Sequence, residues 1–319
     1  MILIITFAEN DHVERVLTHL TQPYALLDLA DFPQRARLHA LAGPSGQGLY
    51  VDLPDGRRID LDQVGAIWNR RVRSFDIDPG IADPTGRLFA WSETTEAVGG
   101  LWHALDCFWM NHPNADEAAS RKIAQLRVAE RMGLRVPDTL VTNGPDEARA
   151  FVERHAATGV IRKAFRNIPE APRSTLKVGP QELAQIEQVR FAPVIFQEYI
   201  PLELDIRVTV VGDDMFATAF RSEPAYEVDY RAGIGSADVF AYTLPDDVRS
   251  RLQGLMAHFG LAYGAVDFRV TPEGEHVFFE VNPAGEYVFA ASRTGQPVPQ
   301  AIAALLDRHA GGAGARLAV

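Results

Sequence analysis

Three oxygen-bearing side chains near the C-terminus have the types and spacing of a hard cation site. Asp267 lies in Gly264-Ala265-Val266-Asp267-Phe268-Arg269, and Glu280 and Asn282 lie in Val277-Phe278-Phe279-Glu280-Val281-Asn282-Pro283. Both segments are rich in Val and Phe and read as short buried strands, with Thr271-Pro272-Glu273-Gly274 as the turn between them. Paired as a hairpin, they bring the three side chains to one end. Residues i and i+2 of a strand share a face, so Glu280 and Asn282 point the same way. Two carboxylates and an amide oxygen form the all-oxygen set that Mg²⁺ takes when it also holds nucleotide phosphates. Taken alone, the segment could equally be a hairpin with surface acids. Phe268, Phe278, Phe279 and Val281 favour the site, because they draw the acids towards a core, where charge must be paired or metal-bound.

Other side chains that could do chemistry are basic. Lys163 sits in Gly159-Val160-Ile161-Arg162-Lys163-Ala164-Phe165, a strand that Val160, Ile161 and Phe165 mark as largely buried. Arg207 falls two residues after Asp205 and shares its strand face. Its planar guanidinium suits a carboxylate or an acyl phosphate held by two hydrogen bonds. Asn69-Arg70-Arg71 ends the apolar strand Ala66-Ile67-Trp68, where arginines can bind substrate or simply be solvated. The nine histidines include no H-x-x-x-H pair, so the pattern offers no zinc site. A Gly-x-Ser-x-Gly elbow and a G-x-G-x-x-G turn after the first strand are both missing. The single cysteine, Cys107, excludes an internal disulfide framework and reads as part of a buried helix turn.

The elements that must position these groups fall into three lobes. Residues 1–112 alternate strand and helix: Ile2 to Phe7, a helix from His12 to Leu20, Tyr24 to Leu29, a hairpin around Pro54-Asp55-Gly56, and a helix from Trp91 to Met110. This predicts an open α/β lobe. Residues 113–190 begin with one helix running to Gly133 and continue with strands near Val136–Val141, Gly159–Phe165 and Ser174–Val178. Residues 191–319 hold the strand Pro193–Ile200, a hairpin around Gly212-Asp213-Asp214, the helix Asp246–Phe259, the acidic hairpin and a helix from Pro299 to His309. The glycine-rich end, Ala310 to Gly314, reads as disordered.

At 319 residues, with 47% hydrophobic and 23% charged content, the chain is an ordinary globular protein in composition. Its net charge of −11 argues against nucleic acid as a partner, since neutralising phosphates requires a basic surface. Met1 to Phe7 is too short for a signal segment and no apolar run reaches membrane-spanning length, which implies a cytoplasmic protein without a membrane partner.

The order of motifs resembles the ATP-grasp ligases. The matching stretches are Lys122, Gly133-Leu134-Arg135-Val136-Pro137, Lys163, Phe196-Gln197-Glu198-Tyr199-Ile200, Asp205-Ile206-Arg207 and the Asp267, Glu280, Asn282 triad. Together they span roughly residues 113–310. Within the superfamily, Ile67 to Arg71, Phe196 to Pro201 and Val228-Asp229-Tyr230-Arg231 resemble the microviridin-type, or graspetide, peptide ligases. The resemblance implies an ATP-grasp fold, with an open N-terminal α/β lobe, a middle α+β lobe and a C-terminal antiparallel-sheet lobe. ATP would lie between the last two.

The implied chemistry is activation of Glu or Asp side chains of a ribosomal precursor peptide as acyl phosphates, followed by ester or amide closure. Asp267, Glu280 and Asn282 would hold two Mg²⁺ ions, and Lys122 and Lys163 would line the triphosphate of ATP. Gln197, Glu198, Tyr199 and Ile200 form the adenine edge by this analogy, with Glu203 or Asp205 on the ribose. Arg207 and Arg231 would hold the carboxylate and acyl phosphate, Arg231 after a stretch from Ser222 to Tyr230 that closes over the core peptide. The loop Arg166 to Arg173 contains Pro169 and Pro172 but no glycine, unlike many phosphate-covering loops, so Ser174 and Thr175 hydroxyls would substitute for backbone donors. The leader of the precursor would dock around Leu183 to Arg190 and the loop after Lys163, with Glu182 and Glu187 facing a basic leader residue. The family also implies a homodimer. Three other activities fit less of the pattern: addition of glutamate or another amino acid to a protein, dipeptide synthesis, and non-catalytic nucleotide-binding regulation.

Overall fold

The computed structural model describes residues 1–44, 46–165, 175–223, 233 and 235–311. It opens with β1 (Ile2–Ile5), α1 (Asp11–Leu17) and β2 (Tyr24–Leu27). There follow β3 (Arg37–Leu41), β4 (Gly48–Asp52), β5 (Arg58–Asp60), β6 (Ala66–Asn69), α2 (Pro84–Ala104) and β7 (Phe108–Met110). A sheet in the order β2-β1-β6-β7 is parallel throughout, and β3-β4-β5 form a small antiparallel sheet beside it. Ile2, Leu3, Ile4 and Ile5 are all buried, as expected of a central parallel strand covered on both faces.

The second part holds α3 (Pro113–Ala119), α4 (Lys122–Arg131), β8 (Thr139–Thr142), α5 (Pro145–Arg154), β9 (Val160–Lys163), β10 (Leu176–Lys177), α6 (Pro180–Ala184) and β11 (Val194–Glu198). Its antiparallel sheet has the order β10-β9-β11-β8. The third part contains β12 (Leu204–Val211), β13 (Asp214–Arg221), β14 (Asp238–Tyr242), α7 (Asp246–Phe259), β15 (Tyr263–Val270), β16 (His276–Asn282), α8 (Val288–Thr294) and α9 (Val298–Gly311). Its antiparallel sheet runs β14-β13-β12-β15-β16.

Several expectations need correction. The helix expected from Trp91 to Met110 is two elements. Asp83 caps α2 by accepting from the Thr85 and Gly86 N–H groups, and Pro84 occupies the first turn. The helix stops at Ala104 because Phe108, Trp109 and Met110 pair with β6, a tertiary contact that overrides local helical character. Cys107 lies in the short link between them, half-buried. The single helix expected up to Gly133 breaks between Ala119 and Lys122 into α3 and α4.

Two elements pack on a different sheet from the one their place in the sequence suggests. Helix α4 packs Val128 and Ala129 on the C-terminal sheet, with Ile206, Val208, Val266 and Phe278, rather than on the middle one. Conversely β11, expected in the third lobe, pairs with β8 and β9 of the middle sheet.

The N-terminal and C-terminal parts share a core in which Ile2, Ile4 and Trp68 meet Val211, Tyr263, Ile302 and Leu306. Asn111, only 1% exposed, ties the two together. Its Oδ1 accepts from the Ala262 and Tyr263 N–H groups at 2.8 and 2.9 Å, and its Nδ2 donates to Tyr263 O at 2.9 Å and Pro283 O at 3.3 Å. The N-terminal part thus grips both ends of the hairpin that carries the acidic residues. Among the described residues no helix is long and apolar enough to cross a membrane.

Candidate active site

Strand alternation on the five-stranded sheet separates a core face from a charged face. Leu204, Ile206, Val208 and Val210 of β12, with Val266, Phe268 and Val270 of β15, face α4 and α7. Asp205, Arg207, Asp267 and Arg269 therefore project from the other side. Directly opposite residues across β12 and β15 are Asp205 with Arg269 and Arg207 with Asp267, so the four charges alternate like a checkerboard. Arg207 Nε and Nη2 donate to the two Asp267 oxygens at 2.9 Å each. Arg269 Nε and Nη2 reach those of Asp205 at 2.9 and 3.1 Å. These are bidentate, charge-assisted pairs in a desolvated setting.

The register of β16 places the remaining acid. Asp267 pairs with Glu280 but Phe268 pairs with Phe278, so Phe279 is an extra residue, a bulge. Without it, Phe278 and Glu280 would share a face. With it, Phe278 and Val281 both enter the core while Glu280 and Asn282 turn to the charged face. Lys122, at the start of α4, forms an ion pair with Glu280. The Asn282 Oδ1 accepts from Ala284 N–H at 3.1 Å, opening the turn after the strand. That turn needs Gly285: a Cβ there would lie 2.3 Å from the Ala265 Cβ. Asp267, Glu280 and Asn282 are thus brought to one end of the hairpin, as the sequence pattern predicts. Among the described residues no cluster of three or more His, Cys, Asp and Glu forms, so any cation site here is two carboxylates and an amide.

The bulged Phe279 ring stands between two sheets. Lys163 Nζ from the middle sheet lies 5.8 Å from its centroid, and the Arg269 guanidinium lies 5.5 Å away from the C-terminal one. Lys163 Nζ also donates to Gln197 Oε1 at 2.9 Å, and Gln197 Nε2 donates to Thr139 Oγ1 at 2.9 Å. Gln197 is completely buried. The Glu198 and Tyr199 N–H groups are bonded to Asp138 O and Gly159 O, and Ile200 O accepts from Arg269 Nη1 at 3.1 Å. Lys177 caps the Tyr199 ring at 3.9 Å. Of the two ribose candidates, Asp205 is held by Arg269, whereas the Glu203 carboxylate is about half exposed, 3.6 Å from Arg221. Arg231, with the stretch Ser222 to Tyr230 apart from its first two residues, lies outside the described residues. So do the loop Arg166 to Arg173 and Ser174.

Arg70 and Arg71 grip the turn after Asn282 from the N-terminal side, while Asn69 beside them turns to Asp116. Arg70 Nη1 donates to Ala284 O at 2.6 Å, and its guanidinium lies 5.6 Å from the Tyr263 centroid. It is 1% exposed, and burial lowers its pKa. Arg71, at φ 53°, donates to Glu286 Oε1 at 2.7 Å. Asn69 and Asn111 both donate to Asp116, whose carboxyl burial pushes up to about 6. Sequence reasoning passed over Arg269 and read Phe279 as a core residue, whereas its ring is half-buried between the two sheets. The period of two starting from Asp267 could have found the arginine, but no local signal marks the bulge.

Comparisons with known proteins identify the family. The family described as the MvdD pre-ATP grasp domain matches residues 1–117. The macrocyclase MdnC of Microcystis aeruginosa MRC, solved with precursor peptide MdnA, is 30% identical, with a TM-score of 0.85 over 96% of this chain and 99% of that one. The chain belongs to the graspetide-type ATP-grasp ligases. Macrocyclase MdnB of the same organism is 31% identical, with a TM-score of 0.80 over 96% and 98% of the two chains. A RiPP-associated ATP-grasp ligase of Chryseobacterium gregarium, solved with ADP and a leader and core peptide, is 25% identical, with a TM-score of 0.85 over 96% of each chain. The comparison with curated protein sequences returned no match. As a graspetide-type ligase this protein is an ATP-dependent enzyme with the mixed α/β ATP-grasp fold.

The buried pair at the centre of this ligase's charged face should be worth little as a pair and much when broken. Arg207→Leu strands the Asp267 carboxylate without its main partner and should cost roughly 3–5 kcal/mol. The double variant with Asp267→Leu should recover most of that loss. Urea unfolding of both variants checks this; equal losses in the single and double variants would show that packing around Arg207, not charge pairing, is what matters.

Proposed function

We propose that this ligase acts in the cytoplasm on a ribosomal precursor peptide, converting Glu or Asp side chains to acyl phosphates and closing them as macrolactones or macrolactams. The observation that carries this reading is the likeness over nearly the whole chain to ligases solved with a precursor peptide or with ADP, leader and core. The site geometry supports it. A substrate carboxylate oxygen attacks the γ-phosphorus of ATP and ADP leaves; a Ser or Thr hydroxyl or a Lys amine then attacks the acyl carbon and phosphate leaves. The net change is loss of one water from the peptide for each ATP used.

Positioning and charge neutralisation dominate phosphoryl transfer. Lys163 and Lys122 stand on the middle sheet and on α4, on either side of the cleft that Phe279 bridges, and neutralise the triphosphate. The strand Phe196 to Ile200 forms the adenine edge, and Glu203 takes the ribose hydroxyls. Arg207 and Arg231 hold the substrate carboxylate and the acyl phosphate. The hard oxygens of Asp267, Glu280 and Asn282 fit Mg²⁺, and two such ions would polarise the β- and γ-phosphates. Before nucleotide arrives, Lys122 and Arg207 keep the two carboxylates compensated.

The leader docks on the middle lobe. A cavity of about 350 Å³ there is lined by Phe165, Ile186, Val189, Phe191 and Val194, and Phe191 is 83% exposed. The acids first expected to meet the leader are engaged internally: Glu187 pairs with Arg149 and Arg190, and Glu182 accepts from Gly179 N–H. Apolar contact is therefore the main attraction. Phe191→Asp should weaken binding of a labelled leader peptide about tenfold or more at unchanged thermal midpoint. Unchanged affinity would move the docking site elsewhere.

The protein is a homodimer in this reading. Leu88, Phe89 and Trp91 on α2 are 64%, 65% and 47% exposed, an apolar patch of the kind that marks an interface. Light scattering should give twice the chain mass of 35.1 kDa, and the monomer mass would refute it.

Co-expression with the precursor peptide tests the activity itself. Mass spectrometry should show loss of one water per ring, with mild base cleaving esters and sparing amides. Glu280→Gln should slow the modification roughly a hundredfold or more while the midpoint without nucleotide stays level. Glu275→Gln, which touches only the surface pair with Arg135, should be silent. Normal modification by Glu280→Gln, or addition of an amino-acid mass instead of loss of water, would overturn the proposal.

A further inference from the structure

The last strand of the catalytic sheet, β16, is an outer strand, and its pairing with β15 is interrupted by the bulge at Phe279. A strand in that position has little to hold its backbone in register. Two outside contacts compensate. Phe278 N–H donates to Arg135 O at 2.8 Å, ahead of the bulge. Beyond it, the Gln125 side chain takes over. Gln125 Nε2 donates to Val281 O at 2.8 Å, and Gln125 Oε1 accepts from Val281 N–H at 3.1 Å.

A primary amide presents its oxygen and the nearer of its two N–H donors side by side, as the C=O and N–H of a single strand residue are presented to a neighbouring strand. Gln125 thus gives Val281 both hydrogen bonds that a neighbouring strand residue would supply. Its Nε2 also donates to Ala119 O at the end of α3, which anchors the amide in turn. Gln125 is 2% exposed, so each of these bonds is desolvated and costly to lose. The same helix places Lys122 one turn earlier, where it pairs with Glu280.

Val281 stands between Glu280 and Asn282. Fixing both polar groups of its backbone fixes the direction in which those two side chains leave the strand. We infer that Gln125 is a positioning residue: it acts as a one-residue strand that aims Glu280 and Asn282 at the divalent cation of the bound nucleotide. This rests on the reading of those residues as cation ligands given above. A role confined to stability would make Gln125 merely a satisfied core amide, and the two roles differ in what they do to cation-dependent binding.

Calorimetric titration of the full-length protein with ADP measures that difference, once with Mn²⁺ and once with chelator in place of metal. In Gln125→Met, the gain in ADP affinity that Mn²⁺ confers should fall about tenfold or more, while affinity for metal-free ADP stays within about twofold. Gln125→Glu keeps the length and the acceptor for Val281 N–H but sets an oxygen against Val281 O, and should show the same split if the Met variant does not fold. Val128→Ala, a core truncation on the same helix, should lower the thermal midpoint and leave the Mn²⁺ gain intact. Glu280→Gln reports on the underlying site. If Glu280→Gln loses the Mn²⁺ gain while both Gln125 variants keep it, the positioning role is refuted and the cation site stands. If Glu280→Gln itself keeps the gain, the cation site falls and the role of Gln125 with it.

Discussion

A single extra residue in an outer strand decides which side chains of β16 reach the charged face. Two-residue periodicity would put Phe278 and Glu280 on the same side of β16, forcing either an aromatic ring into the cleft or a carboxylate into the core. The bulge at Phe279 resolves the conflict by changing the parity between them. Phe278 and Val281 then complete the core under α4 and α7, and Glu280 and Asn282 join Asp267 on the charged face. The displaced residue is itself used: its ring lies between Lys163 of one sheet and Arg269 of the next.

The charged face is tolerable because its charges are arranged in pairs before any nucleotide arrives. Arg207 with Asp267 and Arg269 with Asp205 are opposite one another across β12 and β15, and Lys122 covers Glu280. Buried ion pairs of this kind contribute little net stability compared with apolar packing. Their value here is positional, since each guanidinium also reaches a backbone carbonyl, Ile200 O for Arg269 and Glu286 O for Arg207. The first joins the segment that follows β11 to the C-terminal sheet. The second joins that sheet to the turn that Arg70 and Arg71 hold from the N-terminal part.

Much of this was legible in the sequence because strand periodicity is a short-range signal. The shared face of Glu280 and Asn282, the hairpin with Asp267, and the face shared by Asp205 and Arg207 all follow from counting by two. What escaped counting depends on contacts far apart in the chain. Gln125 lies on a helix 156 residues before its partner. Helix α2 ends where it does because Phe108 to Met110 finds a place beside β6. Glu187 looked like a docking acid until Arg149 and Arg190 were seen to neutralise it. Asp205, a carboxylate in the right motif for ribose, is held by Arg269, whose place on the same face two residues after Asp267 could have been read in advance.

With nucleotide bound, the bulge should gather Asp267, Glu280 and Asn282 around its cations. Anomalous scattering from crystals grown with ADP and Mn²⁺ measures this directly. The account predicts manganese peaks within bonding distance of oxygens from all three side chains, with the ADP phosphates completing the coordination. Manganese bound only by phosphates and solvent, with Glu280 still turned to Lys122, would contradict it.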